Sequence, residues 1–246
     1  MDRPPLVLLH GGGPGVDAAS NWASVQPRLS SRFRCLAPDL LGFGTRIAGT
    51  GGIEGPQAWA LARARQILAL LDSHGLDRVH VLGNSAAGGA AALALLSVAP
   101  ERVGRAIVMG GAGTGPLPPA VPFYDHPTKQ SMRATLGRLV ADESEHGALL
   151  DELAEVRLRQ ALRPGAEAAF RSMFAEGPLR VDPATITNPV LVLHGQRDRV
   201  SRVGVSERLA ATLPHARLEV VAGAGHWIHV DRPDRFRGLV EEFLNA

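Results

Sequence analysis

The sequence predicts a doubly wound α/β fold, a mostly parallel sheet covered by helices, with a helical cap inserted into it. Three observations carry this expectation. Short runs of Val, Leu and Ile recur that are apolar at consecutive positions, as strands buried on both faces require. Helical patterning separates them: Leu61, Ala64, Leu68 and Leu71 share one face, and Gly75 follows as a stop signal. One stretch, residues 127–175, breaks this alternation and shows helical patterning alone.

Taken in order, the strand candidates are Leu6–His10, Val79–Gly83, Ala106–Gly110, Pro189–His194 and Arg217–Ala222. After the third comes a Gly/Pro-rich segment, Gly111 to Pro122, which reads as a linker. Leu149, Leu150, Leu153, Val156 and Leu158 among charges then mark helix, and the sheet rhythm resumes at Ile186–Pro189. The expected division is core 1–113, cap 114–185 and core 186–246.

A chain of 246 residues, 45% hydrophobic and 20% charged, is not disordered, collagenous or coiled coil. The single cysteine, Cys35, excludes an internal disulfide and a cysteine-rich zinc module. The basic residues are scattered among acids for a net charge of +2, which argues against nucleic-acid binding. No apolar run is long enough to span a membrane, and Met1–Pro5 opens no signal peptide, so the expected compartment is cytoplasmic. Lys129 is the only lysine and sits in no P-loop or Schiff-base context.

Gly83-Asn84-Ser85-Ala86-Ala87-Gly88-Gly89 follows a strand and opens an Ala/Leu-rich helix. A serine on such a sharp strand-to-helix turn has its Oγ pushed into the open and can act as nucleophile. Ala87 stands where G-x-S-x-G has its last glycine, while Gly88 and Gly89 keep the helix start slim. The alternative is a serine that merely caps. In this arrangement the partners follow in the order acid, then histidine, each just past a strand. Asp198 in His194-Gly-Gln-Arg-Asp198 and His226 in Gly223-Ala-Gly-His226 meet that order. The strand ending at Gly110 offers no competing carboxylate, and His74, His80 and His194 fit the base position less well. A zinc pair of His226 with His229 is the rival reading, but no further ligand stands at suitable spacing.

His10-Gly11-Gly12-Gly13-Pro14-Gly15 follows the first strand. A backbone free of Cβ atoms there can turn the Gly12 N–H toward an oxyanion, beside the N–H of Ala86. Gly13, Gly15 and Ala18 with Asp39 further on also match a dinucleotide loop, although Pro14 interrupts it.

Together these pieces resemble the α/β-hydrolase superfamily and, within it, the meta-cleavage product hydrolases, which cleave C–C bonds in aromatic degradation. The matching segments are His10–Gly15 with Ser20-Asn21-Trp22, Pro38–Gly44, Gly83-Asn84-Ser85, His194–Asp198, Gly225-His226-Trp227, and Asp151–Arg157 in the cap. The resemblance implies a 2-hydroxy-6-oxo-hexa-2,4-dienoate-type small-molecule substrate and a Ser85–His226–Asp198 triad with oxyanion donors Gly12 and Ala86. It implies no metal or organic cofactor, and it allows a homodimer. It further implies that Arg157 pairs with the substrate carboxylate, that Asn21 and Asn84 hold the 2-hydroxy/oxo end, and that Trp227 walls the pocket.

The chain departs from the family in three places. Ala86-Ala87 replaces the usual Met-Gly after the serine. Family members open with antiparallel strands, whereas this chain starts five residues ahead of Leu6, so a late start or a trimmed sheet with an exposed edge is expected. The cap is short and holds the only tyrosine, Tyr124, which suggests a pocket for small acyl groups. A carboxylesterase or lactonase with the same triad is the alternative function, and a non-catalytic ligand-binding protein on this fold is a third.

Overall fold

The computed structural model describes residues 3–111, 122–175 and 177–246. Its six strands form one sheet in the order β2-β1-β3-β4-β5-β6. They are β1 (Pro5–Leu9), β2 (Arg34–Leu36), β3 (Val79–Asn84), β4 (Val103–Met109), β5 (Val190–Gly195) and β6 (Ala216–Val221). Every pairing is parallel. The helices are α1 (Ala18–Trp22), α2 (Gln26–Leu29), α3 (Gly55–Ser73), α4 (Ser85–Val98), α5 (Lys129–Gly137), α6 (Gly147–Ala161), α7 (Ala166–Met173), α8 (Val203–Thr212), α9 (Ile228–Asp231) and α10 (Pro233–Asn245).

In the inner strands β1, β3, β4 and β5 the runs are largely apolar at successive positions because both faces are covered, whereas β6, at an edge, carries Arg217 and Glu219. Val7, Val81, Val108 and Val192 pack with Ile67 of α3, Leu95 of α4 and Leu209 of α8. Leu6, Leu82, Ile107 and Leu191 point the other way, toward Trp22, Leu29 and, from α10, Phe236 and Leu239. Side chains alternate across a strand, so burying both faces requires an unbroken apolar sequence rather than an alternating one.

The structure corrects the strand list in one respect. β2 was not among the expected strands: its Arg34-Cys35-Leu36 is three residues long and half exposed, and it makes no apolar run. Lying at the sheet edge, β2 needs only one covered neighbour, and its shortness and arginine discourage pairing with another chain. Among the described residues no antiparallel strand precedes β1, and the edge belongs to β2 rather than to β1.

Between β4 and β5 the described residues form α5, α6 and α7 with short 3-10 turns and no strand. Most of the Gly/Pro linker, including the expected boundary at residue 113, lies outside the described residues.

Candidate active site

The β3–α4 turn sets the position of Ser85. Ser85 has φ 56°, the one positive value at a non-glycine among the described residues, in a region that costs an L-residue free energy. The helix can start so tightly because glycine fills the contacts beside it. A Cβ on Gly88 would lie 2.3 Å from the Leu9 carbonyl oxygen, and one on Gly83 would lie 2.4 Å from that of Gly88. Ala87, by contrast, is accommodated: its methyl lies 3.1 Å from where a Cβ on Gly12 would stand.

Asp198 and His226 reach Ser85 from the loops after β5 and β6. His226 Nε2 lies 2.9 Å from Ser85 Oγ, and His226 Nδ1 lies 2.7 Å from Asp198 Oδ2. The other Asp198 oxygen accepts the N–H groups of Val200 and Ser201 at 2.7 and 2.8 Å. Burial opposes the charge on Asp198. The attraction of His226, the hydrogen bond from its ring and the two amides outweigh that penalty and hold the carboxyl below its ordinary range. With Asp198 ionised, Nδ1–H of His226 is the donor, which leaves Nε2 to accept from the Ser85 hydroxyl. The close approach of the two loops again rests on glycine: a Cβ on Gly195 would stand 1.9 Å from the Gly225 carbonyl oxygen.

Ser85, Ala86, Gly12 and His226 line one cavity of about 110 Å³. The Ala86 N–H belongs to the first turn of α4, where amides have no intrahelical partner and the helix dipole is positive. Asn21, Asn84, Arg157 and Trp227 line the same cavity. Asn21 Oδ1 accepts from the Gly11 N–H at 3.2 Å and from Asn84 Nδ2 at 3.0 Å. This leaves Asn21 Nδ2 and Asn84 Oδ1 buried without a partner among the described residues. Neither residue is a turn cap: Asn84 precedes α4 but makes no capping hydrogen bond. Arg157, on α6, is buried, and its Nε and Nη2 also lack partners among the described residues. Burial lowers its pKa to about 10, partly opposed by Asp17, so it remains a cation at neutral pH. The structure thus brings together all nine residues singled out from the sequence.

Two rival readings do not survive. His229 does not join His226 around a metal position: its Nε2 meets the Asn21 carbonyl oxygen at 2.9 Å, and its ring packs among Trp22, Trp227 and Phe236. The Gly13–Ala18 loop does not open a phosphate cradle. A Cβ on Gly15 would lie 1.9 Å from the Arg157 carbonyl oxygen, so the loop is packed against α6, and Asp39 is occupied by the Ala18 and Thr45 amides. His10, which begins that loop, is held neutral. It accepts from the Leu40 N–H through Nε2, so its Nδ1 donates to the Gly11 carbonyl oxygen.

The Alpha/beta hydrolase family model matches residues 6–239. The chain belongs to this family. It is 37% identical to the 2-hydroxy-6-oxo-2,4-heptadienoate hydrolase of Pseudomonas putida, over 98% of this chain and 89% of that protein. It is 34% identical to a 2-hydroxymuconate semialdehyde hydrolase of a Pseudomonas species, over 98% of this chain and 86% of the relative. Among solved structures, the 2-hydroxy-6-oxo-6-phenylhexa-2,4-dienoate hydrolase of a Rhodococcus species superposes with a TM-score of 0.90 at 33% identity. That match covers 99% of this chain and 91% of the other. The family is one of enzymes, and the resemblance to meta-cleavage product hydrolases extends over nearly the whole hydrolase chain.

Sequence reasoning missed part of the pocket wall. Thr135, Arg138 and Leu139, together with Phe170, Phe174 and Val200, also line the cavity. Tyr124, singled out in the cap, is not in the lining but packs against Phe170, ring centroids 5.3 Å apart. Phe170 and Phe174 are the aromatic groups that the cap segment brings to the cavity, facing it together with Trp227.

Proposed function

We propose that this hydrolase cleaves the C–C bond of a 2-hydroxy-6-oxo-hexa-2,4-dienoate-type substrate. The observation that carries the reading is Arg157, a buried cation with two unpartnered nitrogens in the cavity that holds Ser85 and His226. A guanidinium left unpaired in the interior costs free energy unless an anion completes it, and a planar carboxylate does so bidentately. The free Asn21 amide donor and Asn84 amide acceptor beside it suit the 2-hydroxy/oxo group of such an acid. The relatives named above act on substrates of this type, which supports the reading further.

In this mechanism the proton of the 2-hydroxyl moves to C5 first, giving the keto form. His226 then takes the proton of the attacking oxygen, that of Ser85 or of water, while Asp198 stabilises the imidazolium. The C6 oxyanion is held by the N–H groups of Gly12 and Ala86. When the C5–C6 bond breaks, its electron pair runs to the 2-oxygen, which takes a proton. The products are a 2-hydroxypentadienoate and an acid, formed directly where water attacks, or, where Ser85 attacks, by a water that His226 activates to break the Ser85 ester. Helices α5–α7, within the proposed 114–185 cap, close the pocket over the substrate and contribute Arg157.

Loss of the dienolate's visible absorbance on mixing with enzyme tests the reading, with p-nitrophenyl acetate turnover measured alongside. Fast bleaching that vanishes in Ser85→Ala is the expected result. Brisk ester turnover with no bleaching would replace C–C cleavage by ester or lactone hydrolysis at the same site.

A further inference from the structure

Asp231 ends α9, and its side chain is 1% exposed. One carboxylate oxygen accepts the Gly225 N–H at 2.6 Å and the Ala141 N–H at 3.0 Å. The other meets His146 Nε2 at 2.9 Å. Gly225 immediately precedes His226. A Cβ there would stand 2.6 Å from the Ala141 nitrogen and 3.1 Å from Asp231 Oδ2, so the contact is open only to glycine. On the other side of His226, the Trp227 N–H donates to the Leu139 carbonyl oxygen at 2.7 Å. Both chain neighbours of His226 are therefore fastened to residues 139–141, one directly and one through Asp231. Those residues lie between β4 and β5, outside the strand–loop frame that carries Ser85 and Asp198.

We propose that Asp231 is a positioning residue for His226, and that with His146 it makes the setting of the imidazole depend on docking of the segment 139–146. The Ser85–His226 hydrogen bond, 2.9 Å long, is sensitive to small displacements of the loop. A buried carboxylate that gathers donors from both segments fixes their relative position more firmly than packing alone, because each oxygen left unpaired would carry a desolvation penalty. Leu139 also lines the substrate cavity. Occupation of the cavity and alignment of the base therefore share one connection. The proposal rests on the Ser85–His226 pairing above, but not on the identity of the substrate.

The test is the rate at which a fluorophosphonate probe labels Ser85, with the thermal midpoint recorded for each variant. Asp231→Asn keeps the shape and one oxygen to accept the Gly225 and Ala141 N–H groups, but it removes the charge and turns an N–H₂ toward the His146 donor, so labelling should slow severalfold. His146→Ala should slow labelling severalfold, and His146→Gln, which restores a donor toward Asp231, should recover most of it. Wild-type labelling with all three variants unchanged would overturn the proposal. Slower labelling that tracks the fall in thermal midpoint, with no recovery in His146→Gln, would reduce Asp231 to a structural role. If Asp231→Asn does not fold, the two His146 variants decide, since that side chain is partly exposed. An unlabelled wild type would overturn the Ser85–His226 pairing itself, and the role of Asp231 with it. Labelling without dienoate bleaching would sink only the substrate assignment.

Discussion

The guanidinium of Arg157 lies 5.0 Å from the centroid of the Trp227 ring. Cation–π attraction to a tryptophan face is worth about 2 kcal/mol when desolvated, which offsets only part of the cost of burying a charge. The ring covers one face of the guanidinium and leaves its edge without acceptors at Nε and Nη2. A buried cation covered on its face and open along its edge fits the planar carboxylate proposed above. Trp227 is therefore both the wall beside His226 and the support that keeps Arg157 in place.

Arg157→Met should separate binding from stability. Removing the guanidinium should raise KM for an anionic dienoate about tenfold to a hundredfold, the scale of a charge-assisted hydrogen-bonded pair. Turnover of the neutral p-nitrophenyl acetate should change little. The thermal midpoint should hold or rise, because an apolar chain of similar length replaces an unpaired buried charge. Steady-state kinetics and a melting curve read both. An unchanged KM for the dienoate would remove Arg157 from the binding site.

Ser85 carries backbone strain along with the hydroxyl proposed as nucleophile. Ser85→Ala and Ser85→Gly should both lose at least about a thousandfold in turnover, since each removes the hydroxyl. They should differ in stability. At φ 56° glycine escapes the Cβ penalty, and even after its larger chain entropy it should match or exceed the alanine variant, by up to about 1 kcal/mol. Urea midpoints of the two variants decide this. An alanine variant clearly the more stable would mean the turn carries no strain.

The legible part of this protein lies where the fold leaves little choice. Ser85, Asp198 and His226 each follow a strand of a parallel sheet, whose strand ends converge on one crevice, so short motifs beside apolar runs were sufficient. β2 was invisible because an edge strand of three residues needs no apolar run. Thr135 and Arg138 were missed for a different reason. Helical spacing separates one face of α5 from another, but it does not say which face meets the cavity. Asp231 carries no motif of its own, and its role depends on Ala141 and His146, distant in sequence.

Gly88 and Ala87 are neighbours that should respond in opposite ways to a change of one methyl. Gly88→Ala would drive a Cβ to 2.3 Å from the Leu9 oxygen and 2.7 Å from that of His10, both backbone atoms of the strand and loop beside Ser85. Such overpacking costs about 1–3 kcal/mol or more and displaces the helix start, so thermal midpoint and turnover should fall together. Ala87→Gly removes a tolerated methyl and should cost no more than about 1 kcal/mol of helix propensity, with activity retained. If Gly88→Ala melted like the wild type, the close approach of α4 to β1 would be refuted.

His10 and His229 make the fold sensitive to mild acid. Burial lowers the pKa of His10 to about 4 and that of His229 to about 3, against an ordinary value of 6.5, with smaller opposing effects from their backbone hydrogen bonds. Each ring is therefore neutral in the fold at pH values where the unfolded chain protonates it. Between pH 6.5 and 4 the unfolded state binds the extra protons, so stability falls as pH drops, by roughly 1.4 kcal/mol per pH unit for each fully titrating ring. Asp198, whose carboxyl is depressed by His226, adds to the loss only at lower pH, as its own proton returns. Urea midpoints taken across that range should fall steadily. His229→Phe keeps an aromatic ring beside Trp22 and Phe236 and removes one titrating group, so its curve should be flatter even if its stability at neutral pH is lower. Equal slopes for the variant and the wild type would mean that His229 takes up its proton within the fold.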